Sequence, residues 1–350
     1  MIISCHEKEK NEQKCSNKYE KYLFVRGNKA MKELILAIET GGTKIQLVLG
    51  DKNGEILYRY RAKVEREKGF HGILDTVLNS IPHMSEKAKE LSGRIWRIGI
   101  GFGGPVETAT GTAIWSAQIE GWKDFSVTKF FEEKTGIPTF LFNDSNAAAW
   151  GEYCKGVGNN CQVFFYTNIG SGVGGGVVIN GQLFDGQGRG SAEIGQTYMY
   201  DPRNQNHSRF KCNHIERYCS GWSIQERIRS DEEELKKSLL WKLCDGDREK
   251  ITCELWSEGV KAGDAFSLKI LDEEAEFFAI ALCNMICFYS PQIIAIGGGV
   301  SLIGDPLIDR IRKYTEQYVY LNSKGTYQIV KSSLDEDVVL VGTLLLTAAK

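Results

Sequence analysis

Short apolar runs that end at glycine turns dominate the first part of the chain. Residues 33–38 form a short apolar run, a glycine turn occupies 40–44, and a second apolar run covers 45–49. A tight turn at 51–54 then leads into a run that alternates between apolar and polar residues. Runs of this length, bounded by turn residues, predict three successive β-strands.

The same succession returns in the second half of the chain. Residues 162–167 form an apolar run, a glycine turn follows at 170–172, and a second run covers 174–179. Asn180-Gly181 then marks a tight turn before a third run. This repeated order of strand, glycine turn, strand, tight turn and strand predicts two related lobes.

Apolar residues at helical spacing separate these strands. The spacing predicts helices at 69–92, 123–136, 223–290 and 303–318. Pro82 should interrupt the first helix, because proline lacks the N–H that an interior helical position donates. Breaks are expected near 245–248 and 262–264 within the long helical stretch.

We therefore expect an α/β protein with two lobes. Residues 1–30 are rich in Lys, Glu and Asn and show no period, so they are predicted to be a poorly ordered tail. The first lobe should cover 31–145 and be rejoined by a C-terminal helix at about 338–350. The second lobe should cover 146–337, with a glycine-rich segment at 186–221 and a helical insert.

The stretch 140–152 holds a candidate for chemistry. Its apolar run stops at Asn143-Asp144-Ser145-Asn146, and three alanines follow. Asn, Asp and Ser favour helix N-caps and Ala favours helices, so a strand should end where a helix begins. Taken alone, Asp144 is best read as a cap, although open α/β sheets place ligands at the carboxyl ends of their strands.

Three glycine turns, at 40–44, 170–172 and 297–299, each follow an apolar strand. Glycine lets backbone N–H groups approach a phosphate closely, so three such turns favour a nucleotide cleft between the lobes. Residues 170–175 fit the pattern G-x-G-x-x-G, but a strand follows them instead of the helix that a dinucleotide fold requires. The Walker A pattern does not occur.

Composition excludes several classes of protein. The 350 residues are 42% hydrophobic and 25% charged, which is typical of a soluble globular protein. A net charge of -2 without a long basic run argues against a nucleic-acid partner. Ten scattered cysteines in a long chain indicate reduced thiols and a cytoplasmic location. No apolar run reaches the length of a membrane span, and no signal peptide is predicted.

Six motifs, taken in order, resemble those of the ROK family (repressor, open reading frame, kinase), which contains sugar kinases of the actin-like ATPase superfamily. The resemblance covers about residues 33–350 and rests on segments 37–45, 101–106, 143–149, 168–176, 190–195 and 294–299. It implies two actin-like (ribonuclease H-like) lobes around a nucleotide and sugar cleft. It also implies ATP and Mg²⁺ as cofactors, a small sugar as partner, and a homodimer.

The resemblance assigns roles to individual residues. Asp144 would be the general base that accepts the proton of a sugar hydroxyl. The residues expected to bind the sugar, besides Asp144, are Gly104, Asn143, Glu193, Gln196 and Glu216. The residues expected on the nucleotide side are Glu39, Gly41, Gly42, Thr43, Lys44, Gly170, Ser171, Gly172, Gly297, Gly298 and Gly299.

Two positions depart from the family pattern. Glu39 stands where the family usually has Asp, and Gln196 stands where many members have a His that contacts sugar and binds zinc. Of the zinc-binding cysteine run, only Cys212 and His214 remain, with His207 nearby. Because a closed zinc site needs four N or S ligands, zinc is not expected. We expect a short loop here, in which His214 packs or binds sugar.

The resemblance leaves the sugar open. Glucose ranks first because it is prevalent in the family, and N-acetylmannosamine and fructose are the alternatives. A non-catalytic sugar-binding sensor of the same family is the alternative of another class, since Glu39 and Gln196 both depart from the usual residues.

Overall fold

Two five-stranded sheets with the same strand order form the framework of the residues described by the computed structural model, which are 31–40, 44–63, 68–116, 119–200 and 212–350. The predicted tail at 1–30, the centre of the first glycine turn at 41–43, and His207 lie outside these residues. The strands are β1 (Lys32–Thr40), β2 (Lys44–Gly50), β3 (Ile56–Lys63), β4 (Gly93–Phe102), β5 (Val106–Glu107), β6 (Thr112–Ala113), β7 (Phe125–Ser126), β8 (Thr139–Asn143), β9 (Val163–Ile169), β10 (Val173–Ile179), β11 (Gln182–Phe184), β12 (Tyr198–Tyr200), β13 (Cys212–His214), β14 (Ile293–Gly297) and β15 (Gln328–Lys331).

Helices cover both sheets and fill much of the second half of the described chain. They are α1 (Gly69–Glu90), α2 (Val127–Thr135), α3 (Asp144–Lys155), α4 (Glu216–Cys219), α5 (Gly221–Ser230), α6 (Glu232–Lys237), α7 (Leu239–Leu243), α8 (Cys253–Lys261), α9 (Ala265–Tyr289), α10 (Asp305–Tyr318) and α11 (Val338–Ala348). Within the described ranges, none of them combines the length and the apolar character needed to cross a bilayer.

The internal repeat predicted from the sequence is visible in the strand order. The first sheet runs β3-β2-β1-β4-β8 and the second runs β11-β10-β9-β14-β15. In each sheet the first three strands along the chain pair antiparallel, and the next strand pairs parallel to the first. The carboxyl ends of the parallel strands therefore meet at one edge of each sheet, and this edge is where ligands bind in open α/β sheets.

Strand β1 is apolar throughout its centre because both faces of its sheet are covered. Leu34, Leu36 and Ile38 point into a core shared with α1, whereas Ile35 and Ala37 point into a core shared with α11. The last helix of the chain thus packs against the first sheet, although it follows the second sheet in sequence. The lobe boundaries at 145/146 and 337/338 agree with this path and remain a prediction.

Two sequence-based helix predictions need correction. Pro82 does not interrupt α1, which continues from Gly69 to Glu90. The apolar face of α1, with buried Val77, Ile81 and Met84, outweighs the loss of one helical hydrogen bond. Helix α2 begins only at 127, because 125–126 pairs as a short strand with β6. The predicted breaks near 245–248 and 262–264 are confirmed as the connections on either side of α8.

Candidate active site

A cavity of about 300 Å³ opens where the two sheets face each other. It brings together residues that the sequence places far apart, at the carboxyl ends of β1, β8, β9 and β14. Its walls are formed by Glu39, Thr40, Gln46, Gly103, Asp144, Ser145, Ala148, Tyr166, Asn168, Gly170, Ser171, Gly297, Gly298, Gly299, Ser301, Leu302, Ser332, Asp335, Glu336, Val338 and Val339. The second and third glycine turns, Glu39 and Asp144 thus border one cavity.

The capping role at the start of α3 belongs to Asn143, so Asp144 is available for other interactions. The Asn143 Oδ1 accepts a hydrogen bond of 2.9 Å from the backbone N–H of Asn146, and Asn143 is the N-cap. Its Nδ2 donates to the Gly104 carbonyl at 3.1 Å, which fixes the amide across the first sheet. Asp144 is the first helical residue, and its carboxylate borders the cavity.

Ser145 holds one oxygen of the Asp144 carboxylate. Its backbone N–H and its hydroxyl donate to Asp144 Oδ1 at 2.6 and 3.1 Å. The other oxygen, Oδ2, lies beside Gly103, where an added Cβ would be 3.4 Å away. The Ser145 hydroxyl is also 3.2 Å from Asn168 Oδ1 on β9. Ser145 therefore orients the carboxylate, with Oδ2 on the side of Gly103.

Burial makes Asp144 a weaker acid than usual. Part of the side chain is open to the cavity, but protein atoms surround the carboxyl group. This desolvation raises the pKa of Asp144 to about 6, against the opposing effect of the hydrogen bonds from Ser145. A carboxylate with such a pKa is still largely ionised at neutral pH and is a stronger proton acceptor than an ordinary aspartate.

Glu193 lies near both Asp144 and Glu216, and neither glutamate borders the cavity described above. The side chain of Glu193 is exposed, but protein atoms around it still exclude part of its water. This desolvation, and then the charges of Asp144 and Glu216, raise the pKa of Glu193. Glu216 accepts a hydrogen bond of 2.9 Å from the backbone N–H of Val173. A Cβ at Gly172 would be 2.7 Å from Glu216 Oε2, so this glycine makes room for the carboxylate. Gly172 was predicted on the nucleotide side, and it lies against Glu216, which was predicted to bind the sugar.

The other predicted residues are placed less centrally. Gln196 is exposed at the end of a 3-10 turn that begins at Ile194. Gly104 lies near the cleft through its hydrogen bond from Asn143. Lys44 begins β2, and Gly41, Gly42 and Thr43 lie outside the described residues.

Two of the zinc candidates, Cys212 and His214, lie on a strand, so the prediction of a short loop was wrong at 212–214. Cys212 and His214 belong to β13 and pair with Tyr200 and Tyr198 of β12, which gives this segment regular backbone hydrogen bonds. The ring of His214 packs edge-on against Tyr198 at a centroid distance of 4.3 Å. Across the described ranges, no three His, Cys, Asp or Glu side chains form a group that would hold a metal ion.

Gln46 is a cavity residue that sequence reasoning missed. It is 1% exposed, and its Nε2 donates to Glu39 Oε2 at 3.0 Å. Its Oε1 accepts from Arg59 at 2.9 Å and from Arg61 at 3.1 Å. Two guanidinium groups thus fix the amide so that its N–H₂ group faces Glu39. The available signal was a single amide within the otherwise apolar run 45–49, since buried polar side chains require partners.

Polar contacts hold the loop that follows β11. Asp185, on the loop after β11, accepts from Asn146 Nδ2 at 2.7 Å and from the Thr108 hydroxyl at 2.9 Å. Arg189 pairs with Glu107 at 3.0 Å, next to Thr108. The loop at 185–189 therefore connects α3 with the hairpin that follows β4.

Comparisons with known proteins agree with this architecture. The ROK family model matches residues 35–350. A glucokinase from Thermotoga maritima is 28% identical over 313 residues, covering 88% of this chain and 95% of the relative. A xylose repressor from Caldicellulosiruptor bescii is 23% identical over 317 residues, covering 89% of this chain and 77% of the repressor.

A solved structure gives the same result for the fold. The ROK family glucokinase from Streptomyces griseus, in complex with glucose and AMPPNP, matches with a TM-score of 0.78 and 26% identity. The match covers 91% of this chain and 100% of that chain. The predicted α/β fold with two actin-like lobes is confirmed. Because the family model extends over nearly the whole of the described chain, this protein belongs to the ROK family.

Proposed function

We propose that the protein is an ATP-dependent sugar kinase that transfers the γ-phosphate to the primary (6-) hydroxyl of a hexose, with glucose ranked first. One observation carries the proposal. The Asp144 carboxylate, with its pKa raised to about 6, borders one cavity together with two glycine turns, and its charge acts on Glu193, as does the charge of Glu216. The glucokinases among its relatives support the reaction class.

The glycine turns would hold the nucleotide. Gly170, Ser171 and Gly297–Gly299 border the cavity next to Asp144, and backbone N–H groups in such turns are good donors to phosphate oxygens. Leu302 and Ser301 extend the same wall beyond Gly299 and would border the nucleoside. The first turn, around Gly41, is assigned to the phosphates by resemblance alone.

Mg²⁺ fits the acidic residues of the cavity. Glu39 and Asp144 both border it, and the charges of both act on the same hydroxyl group, that of Tyr166. Carboxylate oxygens are the ligands that this ion prefers, directly or through water. When bound, the ion would neutralise charge on the phosphates, and Gln46 would keep Glu39 oriented toward it.

Asp144 would accept the proton of the sugar hydroxyl as that oxygen attacks the γ-phosphorus. The new P–O bond forms while the bond from the γ-phosphorus to the bridging oxygen breaks, and ADP leaves. Because Ser145 holds Oδ1, the proton would go to Oδ2. Phosphoryl transfer depends mainly on such positioning and on charge stabilisation.

Three polar side chains would bind the other hydroxyls of the sugar. Glu193 and Glu216 supply carboxylate oxygens beside Asp144. Asn143 uses one N–H for Gly104, and its second N–H remains for a hydroxyl group. The Asp185 contacts would help to exclude water, which would otherwise hydrolyse ATP.

We expect kcat/KM for the sugar to fall on the acid side of about pH 6. The free enzyme needs an ionised Asp144, and a base with a pKa of about 6 loses activity about tenfold per pH unit below that value. The profile should be measured between about pH 5 and 8 at saturating ATP. A profile that stays flat down to pH 5 would contradict the assignment of Asp144 as base.

Gly298→Val should raise the KM for ATP about tenfold or more, as expected for a distorted binding loop. Gly298 has a φ of 83°, and a Cβ there would be 2.6 Å from the Ile169 carbonyl carbon and closer still to its oxygen. The turn would have to move away from β9, and this movement would displace the wall of the cavity that is expected to bind the nucleotide. Gly325→Val is the matched control, since Gly325 also has a positive φ of 73°, a Cβ there meets no atom within 4 Å, and it does not border the cavity. An unchanged KM would place ATP elsewhere.

A coupled assay of ADP release with a panel of hexoses and N-acylhexosamines tests the proposed function. Turnover with a hexose supports it, and the fastest substrate ranks glucose against N-acetylmannosamine and fructose. The similarity to a xylose repressor favours a second candidate, a sugar-binding sensor. Sugar binding by calorimetry without ADP release would favour the sensor. A homodimer and a cytoplasmic location remain predictions.

A further inference from the structure

Tyr166 is a cavity residue to which neither the sequence nor the proposed reaction gives a role. It lies on β9, and its ring packs in a core cluster with Phe164, Ala148 and Val338. The residue is only 2% exposed, yet it forms part of the cavity wall. A Cβ at Gly297 would be 3.0 Å from Tyr166 Cζ and closer still to the hydroxyl, so the hydroxyl lies directly against the third glycine turn.

This hydroxyl is a hydrogen-bond donor that the protein itself does not use. Within the described ranges, Tyr166 forms no side-chain hydrogen bond. Burial, followed by the charges of Glu152, Asp144 and Glu39, raises its pKa far above neutral pH, so the proton stays on the oxygen. The hydroxyl is not one of the fully buried polar atoms without a partner, so it reaches the cavity, and a phenylalanine would fill the same space without offering a donor there.

The surroundings indicate what the hydroxyl binds. Carboxylates lie around it, and the backbone of Gly297–Gly299 and Gly170 borders the same space. A neutral hydroxyl in such surroundings can donate to an anionic oxygen. The backbone N–H groups of glycine turns also bind anions, so the acceptor that suits both groups is a phosphate oxygen. A sugar hydroxyl fits less well, because Glu193 and Glu216, which are expected to bind the sugar, do not border the cavity that Tyr166 lines.

We propose that Tyr166 is a nucleotide-binding residue whose hydroxyl donates a hydrogen bond to the phosphate chain of the bound nucleotide. The assignment rests on the proposed kinase function. The Tyr166 hydroxyl would then be a side-chain donor on β9, in addition to the backbone N–H groups of the glycine turns.

Tyr166→Phe removes this donor and keeps the ring. Isothermal titration should show that ADP binds at least about tenfold more weakly to the variant, since a hydrogen bond to a charged group is lost. Adenosine, which has no phosphate, should bind to the variant and to the wild type equally. The KM for ATP should rise by the same factor as the Kd for ADP.

Tyr153→Phe is the matched control. Tyr153 packs against the same core cluster, but its hydroxyl donates to the Cys161 carbonyl at 3.3 Å and not into the cavity. This variant should bind ADP and adenosine as the wild type does. A normal affinity of Tyr166→Phe for ADP would overturn the assignment, and so would an equal loss for ADP and adenosine. If the wild-type chain binds no ADP, the proposed function and the assignment of Tyr166 both fail. If the wild type and Tyr166→Phe phosphorylate the sugar equally well, only the assignment of Tyr166 fails.

Discussion

Asp144→Asn should lower kcat for sugar phosphorylation by about a thousandfold, within the range that a positioned general base contributes. Asparagine has the same shape, and its Oδ1 can still accept the hydrogen bonds from the backbone and hydroxyl of Ser145. Its amide nitrogen, however, cannot accept a proton from the sugar hydroxyl. ADP release measures the loss, and calorimetry with the sugar should show that binding is retained within a few fold.

Asp305→Asn is the control for the chemical change itself. Asp305 is the first residue of α10, as Asp144 is the first residue of α3, but it does not border the cavity. The control should keep wild-type turnover and a similar melting temperature. Wild-type turnover by Asp144→Asn would rule out Asp144 as base, and equal losses in both variants would indicate an effect on helix ends instead of chemistry.

The fold was predictable because the hydrophobic pattern was regular. The run 33–38 is continuous since both faces of its strand are buried, and its repetition at 162–167 predicted a second, related lobe, whose sheet proves to have the same strand order. Pro82 was misread because a local rule was applied to a helix that tertiary packing maintains. The strand at 212–214 was missed because its partner lies beyond a long connection in sequence.

The position of Asp144 could be predicted from the sequence, but the contacts between residues of the site could not. Asp144 follows an apolar run, so its position at a strand end could be read from the sequence. By contrast, the contact of Gly172 with Glu216 joins segments whose distance in space only the folded chain determines. The same holds for Gln46, whose role depends on two arginines of the adjacent strand β3. Local patterns identify strand ends, whereas side-chain pairs across elements require the tertiary structure.

Gly342→Ala should destabilise the protein by about 3 kcal/mol or more, as expected for severe overpacking. Alanine normally stabilises a helix by about 0.5–1 kcal/mol relative to glycine, so the predicted sign is the reverse of the usual one. A Cβ at Gly342 would be 2.5 Å from the Ala147 carbonyl carbon and closer still to its oxygen. Helices α3 and α11 therefore touch backbone to backbone at this point.

Helix α11 cannot move away from α3 to relieve the overlap, because the first sheet holds its other side. A Cβ at Gly99 would be 2.8 Å from Thr343, and one at Gly101 would be 2.8 Å from Val339. Urea unfolding should therefore show a lower midpoint for Gly342→Ala, whereas the control Gly299→Ala, made in open space, should leave it unchanged. An unchanged midpoint for Gly342→Ala would mean that α3 and α11 lie farther apart than in this structure. The packing of α11 against α3 would then not fix the position of α3, which begins at Asp144.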